Sequence, residues 1–381
     1  MKKVAFIAPT YPVLSETFIQ TEVDAIKECG HDVSVLTFKI EEHQHKFDYK
    51  VINIGDNVQA AMYKKINVLG ILYALKFVFE QNKQPKLSLF NFGLKLALQL
   101  AQIKADHVHA HFCQHTAAHA IVAANLLNIT SSFVAHGHDV YESPFDIDKK
   151  ILASDFVVAV CKDMKNDFEK IAKGNIKLLH CGVKLDQFVM NYKKPSGHLK
   201  LVFIGRLTEQ KGIHILIDAL ALIAKNLDFS LDIVGAGELD SQLKEQVLHQ
   251  GLSDNIRFLG AKPHSWVKDN LSNYECLVVP FCFSKTGCVD TGPLILKEAM
   301  AVGTLVITTN IMGCKEIVTP EVGYLVNENN VTELKESIEN FANLSFEKKS
   351  VMASLARERV VKYFDAQKQA KQLSSWIQHP T

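Results

Sequence analysis

The stretch LVFIGRLTEQKGIHILIDALALIA, residues 201–224, decides the fold. It opens with a short apolar run, Leu201–Ile204, of the kind that forms a strand buried on both faces. A polar turn follows, Gly205-Arg206-Leu-Thr-Glu-Gln-Lys211-Gly212, and then an apolar run long enough for a helix, 213–224. Strand, polar turn and buried helix form the repeating unit of a parallel sheet covered by helices. The turn also carries chemistry. A helix start offers free N–H groups and a partial positive charge, Arg206 adds a planar two-pronged donor, and Lys211 adds a point charge. Together they suit a diphosphate. The G-x-x-x-x-G-K-[ST] pattern of an ATPase loop is not present.

The same unit recurs outward in both directions. Apolar strands are expected at 4–8, 33–38, 51–54, 107–111, 132–135, 156–160 and 176–179. In the second half they are expected at 201–204, 231–234, 256–259, 277–279, 305–308 and 324–326. Continuous apolar strands alternating with helices predict two doubly wound α/β sheets, because crossovers between parallel strands are right-handed. The polar segment 191–198, with Pro195 and Gly197, reads as the linker. The expected domains are therefore 1–194 and 195–364. A last helix near 365–378, within a tail 365–381 that carries Trp376, is a candidate to pack back on the first domain. Ligands bind at the carboxyl ends of strands in such folds, so the expected site is a cleft where two such edges face each other.

With 381 residues there is enough chain for two cores, and 48% of it is hydrophobic. Charges balance, 42 Lys+Arg against 41 Asp+Glu, which excludes the basic excess expected of a nucleic-acid binder. No run of 18 uncharged apolar residues predicts a membrane span, and the five-residue run after Lys3 is short for a secretion signal. The eight cysteines are scattered without a C-x-x-C pair and are expected to be reduced. These features predict a cytoplasmic protein.

Asp290 and Glu298 form a second constellation. The segment 290–303 reads as a loop, a helix entered at Pro293 and a stop at Gly303. Glu298 is surrounded at helical spacing by Leu294, Ile295, Ala301 and Val302, where a charge is costly unless a partner meets it. Either a neighbouring Arg or Lys pairs with it, or it accepts hydrogen bonds from ribose hydroxyls. Both readings stay open on the residues alone.

Taken together, Gly205-Arg206 with Lys211-Gly212 and the eight-residue spacing of Asp290 and Glu298, followed by Ala299-Met-Ala301, resemble the signature of glycosyltransferase family 4. The family has the GT-B fold of two Rossmann-like domains facing a deep cleft. The resemblance implies that Arg206 and Lys211 bind the diphosphate of a nucleotide sugar, that the first carboxylate meets the donor sugar and that the second meets the ribose. Asp290 stands where the family carries Glu, which shortens that side chain by about one bond. Gly205, Gly235 in the segment 234–238, and Lys262 and Pro263 before His264 match further donor-binding positions. So do Gly292, Pro293 and Leu294. Val279-Pro280 matches a strand end at which Phe281 replaces the usual Ser.

In the first domain, Ser15-Glu16-Thr-Phe-Ile19 resembles the exopolysaccharide, colanic-acid-like branch. Ser15 is expected to cap the helix that runs to Gly30, and Ser15 and Glu16 to line the donor or acceptor side. His136-Gly-His-Asp139 follows an expected strand, and the resemblance gives His136 a contact at the reacting centre. His107, His109 and His111 alternate on one strand, followed by Cys113, His115 and His119. That pattern also fits zinc, but the family's strand is often His-rich without metal, and no metal is expected. Cys161 reads as either an acceptor-side group or a buried thiol. Two lysine-bearing apolar helices, 58–80 and 86–104, read as packing helices or as a peripheral surface for lipid-linked acceptors at the inner membrane face.

The combined expectation is a retaining, metal-independent glycosyltransferase. It takes a UDP- or GDP-linked sugar as co-substrate, uses no cofactor, and has a saccharide or lipid-linked acceptor, with His136, Arg206, Lys211 and Asp290 as catalytic groups. A catalytically silent sugar-nucleotide binder, or an epimerase or hydrolase on the same fold, remains the alternative.

Overall fold

The computed structural model describes residues 1–13, 15–41, 47–192 and 197–380. By internal contacts the chain divides into Met1–Gly182 with Ala366–Thr381, and Val183–Asp365. Pro195, at the boundary expected from composition, lies outside the described residues.

The first unit is built on a parallel sheet of β1 (Lys3–Tyr11), β2 (Asp32–Ile40), β3 (Lys50–Asn53), β4 (His107–His111), β5 (Thr130–Ala135), β6 (Phe156–Ala159) and β7 (Ile176–Leu178). The strand order is β3-β2-β1-β4-β5-β6-β7, with β1 pairing β2 on one side and β4 on the other. All five residues of β4 are buried, and so are all four of β6. Helices on both faces exclude water from such strands, which is why they read as unbroken apolar runs.

The second unit repeats the plan with β8 (Leu199–Ile204), β9 (Phe229–Val234), β10 (Ile256–Gly260), β11 (Cys276–Val279), β12 (Leu305–Thr309) and β13 (Gly323–Val326). Its order is β10-β9-β8-β11-β12-β13. Every strand expected from the sequence is present, within a few residues at its ends. The core of this unit gathers β8, β9, β11 and β12 with the helix Ile213–Ile223, seven of whose residues are buried. Val183 is tied to Phe364 by a backbone bond and bridges to Asp365, so the unit's two chain ends meet.

The last helix, Ala366–Gln378, packs on the helix Thr17–Glu28 in the first unit. Ala370, Leu373 and Ile377 are buried, the ring of His31 lies 2.8 Å from Ser374 Oγ, and Trp376 meets Phe156 edge-on.

Two helical expectations need correction. The helix of residues 58–80 is broken: a 3-10 turn covers Ala60–Lys65, and a separate helix runs Val68–Glu80. Ile66 closes the first piece, and Asn67 caps the second, its side chain accepting the N–H of Gly70. Ser15 is exposed and does not cap the first helix. Glu16 holds the cap position, without a side-chain cap bond. No helix among the described residues is long and apolar enough to cross a membrane.

Candidate functional site

In the second unit the chain moves outward from β8 through β9 to β10, then returns to the other side of β8 with β11. Such a reversal opens a crevice at the carboxyl ends of the two central strands, and ligands of open α/β sheets bind there. Gly205 and Arg206 follow β8 directly, and Pro280 and Phe281 follow β11.

The loops at this edge are held backbone to backbone. Leu207 N–H donates to Ala236 O, and Gly205 N–H to Val234 O, both at 3.0 Å. Gly235 N–H donates to Gly260 O, and Cys282 N–H to Gln210 O. Gly212 caps the helix Ile213–Ile223 with φ +65°. A side chain there would start 1.9 Å from Pro280 O, so only glycine lets the helix start approach the end of β11. Hydroxyls fix that end further: Thr308 Oγ1 donates to Val279 O, and Thr309 Oγ1 to Phe281 O.

On this frame Lys211 Nζ lies 2.8 Å from Asp290 Oδ1, although the two are 79 positions apart in sequence. The ammonium also sits 5.0 Å from the centroid of the buried Phe281 ring. An ammonium has three N–H donors, so the bond to Asp290 does not exhaust it. Arg206, five positions earlier in the same turn, is exposed. The Asp290 loop is anchored where Gly313 N–H donates to Thr291 O.

Glu298 lies on the helix Leu294–Val302, which has Pro293 at its start and Gly303 at its stop with φ +92°. It is buried, and its hydrogen-bond partner among the described residues is His264, whose Nε2 lies 2.9 Å from Glu298 Oε1, with the charge of Lys268 nearby. His264 begins the helix His264–Asn270 just after the exposed Lys262 and Pro263, and it packs against Phe188. A carboxylate can accept several hydrogen bonds, so Glu298 keeps capacity for hydroxyl donors. The neighbouring Lys297 is fully buried, lies 3.3 Å from Gly292 O and sits over the Phe364 ring.

The first unit carries its own polar cluster, at the carboxyl ends of β4 and β5. His111 Nδ1 lies 3.1 Å from His136 Nε2. Glu22, on the helix Thr17–Glu28, places Oε1 3.3 Å from Nε2 of both His109 and His111. Burial raises the Glu22 carboxyl, but His111 and His109 outweigh it and hold it below the usual carboxylate range. Burial pushes His136 well below the ordinary imidazole value, with His111 adding to the effect. The buried Asp139 ties the two loops together. Its Oδ1 accepts the N–H groups of His136 and Gly137, and its Oδ2 accepts that of Cys113. Phe18 stacks at a tilt on His136, 4.3 Å between centroids. Glu16 is half-buried and Cys161 fully buried.

The structure thus brings Gly205, Lys211 and Asp290 together, and pairs Glu298 with the segment that holds Lys262 and Pro263. Sequence reasoning missed Glu22, whose signal was a carboxylate within the apolar stripe Ile19, Val23 and Ile26. Among the described residues, Glu22, His109 and His111 present ligand atoms close enough together for a metal ion. His107, part of the pattern first read for zinc, is not in that group.

Two parallel sheets, the second with a cation and a carboxylate at its switch point, define the class: a GT-B glycosyltransferase fold. The comparisons agree. The model of glycosyl transferases group 1 matches residues 186–359, and that of glycosyltransferase family 4 matches residues 15–187. The chain belongs to this glycosyltransferase family, whose members use nucleotide-sugar donors. It is 27% identical to WcaL of Salmonella typhimurium, a glycosyltransferase named for colanic acid biosynthesis, over 99% of each chain. It is 23% identical to the amylovoran biosynthesis glycosyltransferase AmsK of Erwinia amylovora, over 87% of this chain and 88% of the other. Among solved structures, Anabaena Alr3699/HepE in complex with UDP and glucose superposes with a TM-score of 0.72 at 19% identity, covering 99% of this chain and all of the other.

Proposed function

We propose that this glycosyltransferase moves a sugar, with retention of anomeric configuration, from a UDP- or GDP-linked donor to a saccharide or lipid-linked acceptor in the synthesis of a surface polysaccharide. The meeting of Lys211 and Asp290 at the switch point carries the reading. It puts an ammonium for the departing diphosphate beside a carboxylate for the donor sugar's hydroxyls. Similarity to proteins named for colanic acid and amylovoran biosynthesis supports the polysaccharide assignment.

In this mechanism the diphosphate lies against the start of the helix Ile213–Ile223, with Arg206 and Lys211 as its counter-charges. Negative charge grows on the leaving phosphate as the glycosidic bond breaks, and fixed cations in place beforehand lower that barrier. These two cations take the part a divalent ion plays elsewhere, so no metal is required. Gly205, Gly235, Gly292, Pro293 and Leu294 bring backbone close to the donor. Lys262 and Pro263 lie along the base, and Glu298 holds the ribose hydroxyls. The acceptor hydroxyl enters on the face the diphosphate leaves, and the leaving phosphate takes its proton. Ser15, Glu16 and His136 serve the sugar and acceptor.

The exposed Val68, Leu69, Leu72, Tyr73, Phe79 and Leu87 are interspersed with the exposed Lys64, Lys65, Lys76 and Lys86. This favours peripheral contact with the inner membrane face from the cytoplasm, where a lipid-linked acceptor is presented.

Incubating the protein with radiolabelled UDP- and GDP-sugars and a membrane extract tests the proposal. The expected product carries the label with the donor's anomeric configuration. Lys211→Ala should lower kcat/KM by about 10²–10³. Donor hydrolysis or epimerisation without transfer, or full activity in Lys211→Ala, would contradict it.

A further inference from the structure

Three buried ligand atoms meet in the first unit without a hydrogen bond among them. Glu22 Oε1 lies 3.3 Å from His109 Nε2 and 3.3 Å from His111 Nε2. All three atoms lie within 4.8 Å of one another, and none has a hydrogen-bond partner among the described residues. Folded proteins rarely leave one buried polar atom unsatisfied, because it has given up water without a replacement. Three such atoms at one point call for a shared partner. His107 is the contrast: both its ring nitrogens lie 2.8 Å from hydroxyls, of Thr130 and Ser132.

The local structure builds this convergence. His109 and His111 are two apart on β4, so both side chains leave the same face of the sheet. Glu22 comes from the helix Thr17–Glu28, within its buried stripe of Ile19, Val23 and Ile26. The other nitrogen of each ring is held, His109 Nδ1 at 2.7 Å from Ser132 Oγ and His111 Nδ1 at 3.1 Å from His136 Nε2. Metal-ligating histidines are oriented in this way through their second nitrogen. Phe6 and Phe156 pack on His109, and Phe6 and Phe18 on His111, so the shell around the three atoms is apolar.

The spacing selects the ion. Zinc holds nitrogen and oxygen ligands at about 2.0–2.1 Å, and two of them at a tetrahedral angle stand about 3.3–3.4 Å apart. Both separations from Glu22 Oε1 match at 3.3 Å. Ligands point at their ion and not at each other, which accounts for so close an approach without a hydrogen bond. Two imidazoles with one carboxylate suit zinc, whereas magnesium and calcium prefer oxygen alone. We infer that Glu22, His109 and His111 form a binding site for one zinc ion, which pins the helix Thr17–Glu28 to the end of β4. The third ligand is a carboxylate from another element, which the histidine spacing by itself does not reveal. The inference is independent of the reaction proposed above, in which Arg206 and Lys211 meet the diphosphate.

Metal analysis of the full chain, purified without a polyhistidine tag, tests the inference. The chain is then stripped with a chelator and titrated with zinc at about pH 8, where free imidazoles are neutral. One zinc per chain should bind. Glu22→Gln and His111→Ala should each weaken it at least about tenfold, while His119→Gln leaves it unchanged. Zinc should raise the Tm of the native chain and not that of a folded Glu22→Gln protein. Where the variants do not fold, the native chain decides. With ¹⁵N-labelled histidine, zinc should shift two Nε2 resonances by far the most, and cobalt in its place should absorb without a thiolate band. A native chain that takes up no zinc would overturn the inference. So would unchanged zinc affinity in a folded Glu22→Gln protein, or a thiolate band with cobalt.

Discussion

Glu22 is a half-buried carboxylate beside His109 and His111, and the burial of the first unit's histidines has a consequence for stability. His107, His119 and His136 bind protons less readily folded than unfolded, because burial disfavours the charged ring; His119 falls from 6.5 to about 3. Their contribution to stability is fully present above the unfolded value of 6.5 and is lost as pH falls toward the folded values. The loss is about 1.4 kcal/mol per pH unit for each such group below the unfolded value. Glu22, held below the ordinary carboxylate range, adds a loss of the same sign that begins only at lower pH. The urea midpoint should therefore hold above about pH 7 and drop progressively as pH falls below about 6.5, and a flat profile would contradict the burial of neutral rings. Lys211 and Asp290 were legible in the sequence because each sits in a spaced motif shortly before a helix start. The partner of Glu298 was not: His264 lies 34 positions away, and only the packing of two helix starts brings it within reach.

At the scale of elements, the strands could be read almost residue by residue, because burial on both faces writes an unbroken apolar run. Helix ends were harder. A cap depends on local backbone angles, and Glu16 rather than Ser15 occupies the position. The break at Asn67 hid inside an apolar pattern that continues on both sides of it. Close approach was legible only in part: the glycine before the helix Ile213–Ile223 stood out, but not what it touches. Gly212→Ala, with φ +65° and Pro280 O in the way, should destabilise by about 2 kcal/mol or more and impair transfer. Gly251→Ala is the control, with φ +69° and open space around it, and should cost about 1 kcal/mol with activity kept. Chemical denaturation of both variants measures the difference; equal losses would mean that the contact with the end of β11 does not constrain the loop.

For the whole molecule, composition gave two cores and a balanced charge but not the distribution of that charge. Between residues 58 and 104 the sequence has seven lysines and a single acid, Glu80, with large apolar side chains left exposed among them. Such a surface should bind vesicles containing anionic lipid at low salt and release them as salt rises, since screening weakens the lysine term. Flotation that is absent, or equal on neutral vesicles, would contradict a membrane-facing role. The central claim is narrower: the turn after β8 holds a nucleoside diphosphate through Lys211. Calorimetric titration of UDP and GDP into the full chain and into Lys211→Ala tests it most directly. One nucleotide should bind the native chain at a single site and the variant at least about tenfold more weakly, the loss of a charge-assisted contact worth about 1.4 kcal/mol or more. Equal affinity for both proteins would contradict the claim.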